Sequence, residues 1–549
     1  MNKSDKLVYQ LFSIRNHYGK INSNQKLNLL NAINREKPTT KKGLLLWYDS
    51  LLFLLGYPDN RSVYKIASEA LQQLELHIQS HENLKNRLFN SGITNTNLCA
   101  AFSFEIVKWL RKKSPKNIWL DSIDANEGQI QSILSVVMPK VESEILQDAN
   151  TNWRLWFKGS LKKGEELLDQ LIAVFDETDL RPEIKDELWA AIGINVEINC
   201  ASHLCLPPSL IKPYYHRSLI RKNFVQRASE LKFRKITLNE SEAEKIIECG
   251  RMILVRHLRE IDPISFTELP FVSFYQLPHG LSIALTGMVP NRRHPIDSYM
   301  GYLVFKNGLP VAYAASWILF DSARIGLNVF PSYRGGESQY IFEQVLKLHS
   351  KVYHLNRFSV DPYQLGKENS DGIRSGAFWV YYHAGFRPLR KEQQQLALSE
   401  SLKIRSTKGY RSPYSALTKL ADSRMEMILK KNAVRLDATD LSQAYARILR
   451  DQYNDTRKPA EERLLIKLAQ LLKIKNYHEE KLQFVLKNWC ILLFSDQQEL
   501  NRNKDLKGEL KKLFELKAGA LEENYISVMQ QAKGLRKFIE KIVKDNMDG

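Results

Sequence analysis

Through residues 1 to about 225, apolar side chains recur at spacings of three and four. Leu167, Leu168, Leu171, Ile172 and Phe175 form one such set, and Ile130, Ile133, Leu134 and Val137 another; this period predicts amphipathic helices. Breakers separate the segments at Tyr57-Pro58-Asp59, Ser114-Pro115, Arg181-Pro182 and Pro207-Pro208, and Pro207, Pro208 and Pro213 predict a linker. The longest apolar stretch, Leu44 to Leu55, is interrupted by Asp49 and Ser50. It falls short of the ~20 residues a membrane span requires and predicts a buried helix. From about Ser412 the helical period returns: Leu464, Leu465, Leu468, Leu471 and Leu472 make one face, and Leu510, Leu513, Phe514 and Val528 suggest others. All-helical domains are therefore expected over 1–225 and 410–549.

Between 230 and 395 the period changes. Phe233 to Thr237 alternates like a strand, and Ser241 to Glu244 reads as the S-x-x-E capping box of a helix whose buried face is Ile246, Ile247, Gly250, Ile253 and Leu254. After the turn at Asp262-Pro263, strand-like runs follow at 281–288, 299–306, 311–319 and 324–330. Asn307-Gly308 lies between two of them, and this dipeptide favours a tight hairpin because both residues tolerate positive φ. An antiparallel meander is expected.

The last strand runs through Asn328, Val329 and Phe330 into Pro331-Ser332-Tyr333-Arg334-Gly335-Gly336-Glu337-Ser338, then a helix with Ile341, Val345, Leu348 and Val352 on one face. A glycine-containing turn opening a helix concentrates unpaired N–H groups at the positive end of the helix dipole, which suits a pyrophosphate. Downstream come a strand, Arg357 to Val360, a polar loop from Gly366 to Gly372, and a helix carrying Ala377, Tyr381, Gly385 and Phe386. This order, with its A-x-x-x-Y-x-x-x-G-F pattern, resembles the acetyl-CoA-binding half of the GNAT acetyltransferase superfamily, over about 160 of the 549 residues.

The resemblance implies an α/β fold: a central GNAT-like mixed sheet with flanking helices, between N-terminal and C-terminal all-helical domains. It implies that the loop from Arg334 to Gln339, with Gly335, Gly336, Glu337 and Ser338, holds the pyrophosphate of acetyl-CoA, with Val329, Phe330, Arg374 and Ala377 as further cofactor positions. It also implies Tyr381 as the general acid that protonates the departing thiolate, with backbone N–H groups of the preceding strand polarising the carbonyl. Glu337 and Asp361 are the expected bases for an unidentified amine acceptor. The family loop, R/Q-x-x-G-x-G/A, is matched incompletely: aligned on Arg334, its glycine positions fall on Glu337 and Gln339, and the Asn common before the helix alanine is Arg374 here. That departure motivates a second expectation, a GNAT fold without catalysis that serves as a binding or scaffold module.

Charge adds a third. The net charge is +19, so the surface should attract polyanions. Nucleic acid, an anionic membrane and the phosphates of CoA all fit, and a protein that modifies a bound nucleic acid or macromolecule is a further reading. Lys212-Pro213-Tyr214-Tyr215-His216-Arg217, followed by Arg221, Lys222, Phe224 and Arg227, interleaves aromatics with cations. Such a run can stack bases, though the reading preferred is a solvated helix anchored by its aromatic side. Arg292, Arg293 and His294 are expected to be a solvated basic loop. Five cysteines at scattered spacings argue for reduced thiols. Cys200, His203 and Cys205 cluster but lack a fourth ligand, so no metal is expected. With no secretory leader or transmembrane segment visible, the expected compartment is the cytoplasm.

Overall fold

The computed structural model describes residues 2–147, 152–160, 166–201, 204–220, 231–430, 436–519 and 521–547. The chain divides into two compact units. The first comprises Met1–Ser218, Glu244–Glu260 and Asn307–Pro310; the second comprises Leu219–Ala243, Ile261–Lys306 and Val311–Gly549.

In the first unit, helices Lys3–Ile14, Lys20–Arg35, Lys41–Gly56 and Arg61–Gln79 pack on one another. Each of the last two starts where a side-chain oxygen accepts an otherwise orphaned N–H: Thr40 Oγ1 from Gly43 at 3.0 Å and Asn60 Oδ1 from Val63 at 2.9 Å. The apolar stretch at 44–55 is the buried helix expected, with Trp47, Leu51, Phe53 and Leu54 fully enclosed. The expectation of an all-helical N-terminal domain is corrected by a three-stranded antiparallel sheet, β1 (Asn97–Ala101), β2 (Ile118–Ile123) and β3 (Ile194–Asn199), with β3 in the middle. Ile194, Val196 and Ile198 alternate as buried residues along β3. Six residues at period two are easily lost among longer helical repeats.

The second unit is built on a mixed sheet. Its strands are β4 (Arg234–Ile236), β5 (Val272–Gln276), β6 (Leu281–Thr286), β7 (Ser298–Lys306), β8 (Leu309–Leu319), β9 (Ser322–Ile325), β10 (Asn328–Val329), β11 (Arg357–Val360), β12 (Arg387–Pro388) and β13 (Met425–Ile428). Their order is β12-β13-β11-β9-β8-β7-β6-β5-β4, with β10 also paired to β8. The meander expected from the alternating runs is present, and Asn307 and Gly308 take φ of 48° and 84° at the hairpin turn. β5 was not anticipated. Nor was β13, which lies in the segment expected to be all helical and runs antiparallel to β11 and β12.

Helix Glu240–Arg256 begins earlier than the expected box at Ser241. Asn239 Oδ1 accepts from the Glu242 N–H at 2.9 Å and Glu242 Oε2 accepts from the Asn239 N–H at 3.2 Å. Asparagine caps as well as serine does, so the earlier pair sets the start.

Beyond β13, helices Ala438–Tyr453, Arg457–Leu471, Glu480–Phe494, Lys504–Gly519 and Lys533–Met547 share one apolar core with Leu319 and Phe320 at the end of β8. Leu464, Leu465, Leu468, Leu472, Leu510, Leu513 and Phe514 all lie in it, with Leu471 and Val528 packed against it.

Candidate functional site

β9 and β11 are parallel neighbours, matched from Ser322 to Arg324 against Arg357 to Ser359. The run expected as one strand from 324 to 330 is interrupted at Gly326 and Leu327, after which β10 follows β8, with Asn328 opposite Tyr313 and Val329 opposite Ala312. Two tyrosines occupy the interruption. The Tyr302 hydroxyl donates to the Gly326 carbonyl, and the Tyr381 hydroxyl accepts from the Leu327 N–H at 3.1 Å. Tyr381 comes from helix Ala377–His383 and packs edge-on against Phe342, 5.1 Å between ring centres. Burial pushes its phenol above the usual range, with the Leu327 N–H opposing. It therefore stays protonated at neutral pH, and because the oxygen acts as acceptor toward Leu327, its own proton remains available for donation.

Directly after β10 the chain makes the expected turn. Phe330 stacks on Tyr313 at 5.1 Å and its N–H donates to Val311. A 3-10 turn covers Pro331–Tyr333, and the Gly336 N–H donates to the Tyr333 carbonyl at 3.2 Å. Gly335 has φ +83°, a left-handed conformation that glycine adopts without steric cost. Helix Ser338–Val352 follows with Glu337 at its N-cap, so its first-turn amides lie beyond the reach of intrahelical carbonyls. Val329, Phe330, Arg334, Gly335, Gly336, Ser338 and Gln339 are thus parts of one turn. Arg334 is exposed and meets Asp371 at 3.4 Å. Arg374 is exposed with its guanidinium 3.4 Å from Ser370 Oγ, and Ala377 opens its helix after Gly376 in the left-handed region.

The two expected bases are both engaged by cations. Glu337 Oε2 lies 2.6 Å from Lys306 Nζ, with both side chains fully buried, and its Oε1 accepts the Ile220 N–H at 2.8 Å. Burial pulls the Lys306 ammonium below its ordinary pKa while Glu337 opposes the shift. Asp361 is 3.2 Å from Arg324 and 3.2 Å from Arg424, which also pairs with Asp437 at 2.7 Å. Both oxygens of each carboxylate are thus already engaged.

Glu343, passed over in the sequence, is the carboxylate on this helix that titrates near neutrality. Burial pushes it up to about 7 against the Gln339 amide, 3.3 Å away. An acid among Ile341, Phe342, Val345 and Leu346 was the signal available. On the same helix, burial holds His349 down at about 4, against a hydrogen bond to the Val345 carbonyl. Its Nδ1 donates to that carbonyl at 2.9 Å, and its Nε2 faces the Ser316 hydroxyl at 3.2 Å. Both side chains are completely enclosed, so this neutral pair ties the helix to β8.

The remaining expectations divide. Cys200 is buried and Cys205 partly so, with burial pushing the Cys205 thiol up to about 11; His203 lies outside the described residues. Among the described residues no group of three or more His, Cys, Asp or Glu could hold a metal ion. In the basic run, Tyr214 packs edge-on against His216 at 4.7 Å, and His216 is also 5.5 Å from Tyr57. This part is anchored by its aromatics, but the helix expected there is corrected, since residues 212–217 have no regular secondary structure; Arg221, Lys222, Phe224 and Arg227 lie outside the described residues.

The solvated loop expected at 292–294 is corrected. Arg293 is buried 3.2 Å from Glu522, which also accepts from Ser298 Oγ at 2.6 Å and from Lys517. A counter-charge from far along the chain makes that burial tolerable. No described helix is long and apolar enough to cross a membrane. Comparison with protein-family models, with curated proteins and with solved structures returned no match.

Proposed function

We propose that the second unit contains a GNAT-type core that moves an acetyl group from acetyl-CoA to an amine. The observation carrying this reading is the interruption at Gly326-Leu327, after which the chain leaves its parallel neighbour β11 and pairs only with β8, just before the glycine turn that opens helix Ser338–Val352, with the Tyr381 hydroxyl bonded to the Leu327 N–H at the break. In this reading the pyrophosphate lies on the first-turn amides after Gly335 and Gly336, and the thioester enters between β9 and β11. The amine nitrogen attacks the carbonyl carbon, the carbon–sulfur bond breaks, Tyr381 gives its proton to the thiolate, and the nitrogen releases a proton to water, from which the Tyr381 phenolate is reprotonated. The Leu327 N–H is the donor suited to the carbonyl oxygen, and Tyr381 must release it when the thioester arrives. Lys306 neutralises Glu337 from beneath the turn, removing the repulsion that a solvent-facing carboxylate would exert on a phosphate. It also removes Glu337 from contention as base.

A second reading, a GNAT fold that binds without catalysing, is favoured by the Tyr381–Leu327 hydrogen bond, which already occupies the polarising amide. Calorimetric titration of acetyl-CoA into the full chain separates the two. Acetyl-CoA transfer expects saturable binding that Gly335→Ala weakens, because alanine is strained at φ +83°, and turnover that Tyr381→Phe slows without abolishing binding. Binding without turnover of any amine supports the scaffold. A folded chain that does not bind acetyl-CoA sinks the acyltransferase.

A further inference from the structure

The net charge of the chain is not spread along it. Residues 1–218 carry 27 Lys and Arg against 24 Asp and Glu, whereas residues 219–549 carry 53 against 37. Within the second span, residues 387–419 hold eight cations and two acids, Glu392 and Glu400. Glu400 contributes little outward field, being buried with its oxygens at Lys403 (2.7 Å) and the Tyr410 hydroxyl (2.9 Å). By contrast Arg390, Lys391, Arg405, Lys408, Arg411 and Lys419 are exposed, and among the described residues none has a carboxylate within ion-pair distance. Arg405 and Arg387 add to burial in holding His383 below its ordinary pKa.

Helix Tyr414–Ala421 packs against helices Pro362–Leu365, Ser370–Ser375, Ala377–His383 and Lys391–Ser406. Two aromatic rings stand outward there, Tyr363 at 55% exposure and Tyr414 at 64%. Helix Lys391–Ser406 is turned so that Gln393, Glu400 and Ser401 are buried, while Leu398 and Leu402 face solvent. Those two leucines are bordered by exposed Gln394, Gln395, Ser399 and Ser406, so they do not form the broad apolar stripe with which a helix lies in a bilayer. Solvated cations beside outward aromatic rings match what a single strand offers, phosphates along its backbone and unstacked base faces.

We propose that residues 387–419, together with Tyr363, form a binding surface for single-stranded nucleic acid. The test is fluorescence anisotropy of the full chain with a labelled oligouridylate about 20 nucleotides long, from about 50 to about 200 mM salt. Binding should weaken steeply with salt. Changing Arg405, Lys408, Arg411 and Lys419 to Gln should reduce the log–log salt slope by about 3, at roughly 0.7 for each phosphate no longer neutralised. Tyr363→Ala with Tyr414→Ala should weaken binding about thirtyfold or more through the loss of two stacking platforms, and Lys112→Gln with Lys116→Gln should leave it unchanged. Circular dichroism confirms that each variant is folded. The proposal is overturned by absence of oligonucleotide binding, by an unchanged slope in the quadruple variant, or by equal weakening in the Lys112 and Lys116 control. Binding to phosphatidylserine vesicles without binding to the oligonucleotide would assign the surface to lipid and overturn it too.

Discussion

Lys306 and Glu337 face each other at 2.6 Å with no side-chain exposure, whereas Arg405, Lys408 and Arg411, in the same unit, stand in solvent with no carboxylate of the described residues within ion-pair distance. In a charge count these residues weigh the same, yet their energetics are opposite. The buried pair contributes nothing to the outward field, and each member exists as an ion only because the other is present. The exposed cations contribute little to stability but generate the field that recruits an anion. Position in the fold, rather than residue type, decides whether a charge holds the molecule together or addresses a partner.

Removing one half of the buried pair should show the difference most strongly. Lys306→Met leaves a buried carboxylate uncompensated and should cost about 3–5 kcal/mol in urea unfolding. Lys306→Met with Glu337→Leu should recover much of that loss; a double variant as unstable as the single would mean the pair does more than neutralise itself.

His349 extends the test to a titrating group. Its folded pKa, about 4, lies below the ordinary 6.5, so the unfolded chain binds the extra proton between those values. Stability is therefore fully present above pH 6.5, falls as pH drops through 6.5, and levels off below about 4, for a total of about 3 kcal/mol. His349→Gln should flatten that part of the pH profile, and an unaltered slope would place the acid sensitivity elsewhere. Tyr381→Phe deletes one acceptor for a partly buried amide and should cost about 1–2 kcal/mol in chemical unfolding. Smallest of all, neutralising Arg405, Lys408, Arg411 and Lys419 should move stability by less than about 0.5 kcal/mol per residue. A large loss there would mean these cations belong to the packing and would erase the contrast.

Much of the architecture was legible because it repeats. The leucines at 464–472 are spaced for one helix face and lie in the core, and Asn307-Gly308 turns where its φ tolerance allows. The glycine turn and the helix after it were readable from local order, whereas Tyr381 was singled out only through the family resemblance. What escaped was short or distant. β3 alternates for six residues and β13 spans four, too few for either period to stand out. The interruption at Gly326-Leu327 is invisible in a run of strand-forming residues, because it follows from which neighbour each half takes. The partner of Glu337 is a lysine at the end of β7, and the partner of Arg293 is a glutamate near the other end of the chain. Such pairings are set by topology, which residue spacing does not encode.

The placement of β13 bears on how the protein is made. β11 has one neighbour, β9, as soon as residues 322–360 have emerged from a ribosome, but its other edge stays open until residues 425–428 follow and pair with it. During that interval β11 presents unpaired amides and carbonyls that another nascent chain could join. A chain stopped between residues 361 and 424 would keep that edge permanently. Such truncations are therefore expected to accumulate in aggregates, while chains that extend past Ile428 close the edge from within.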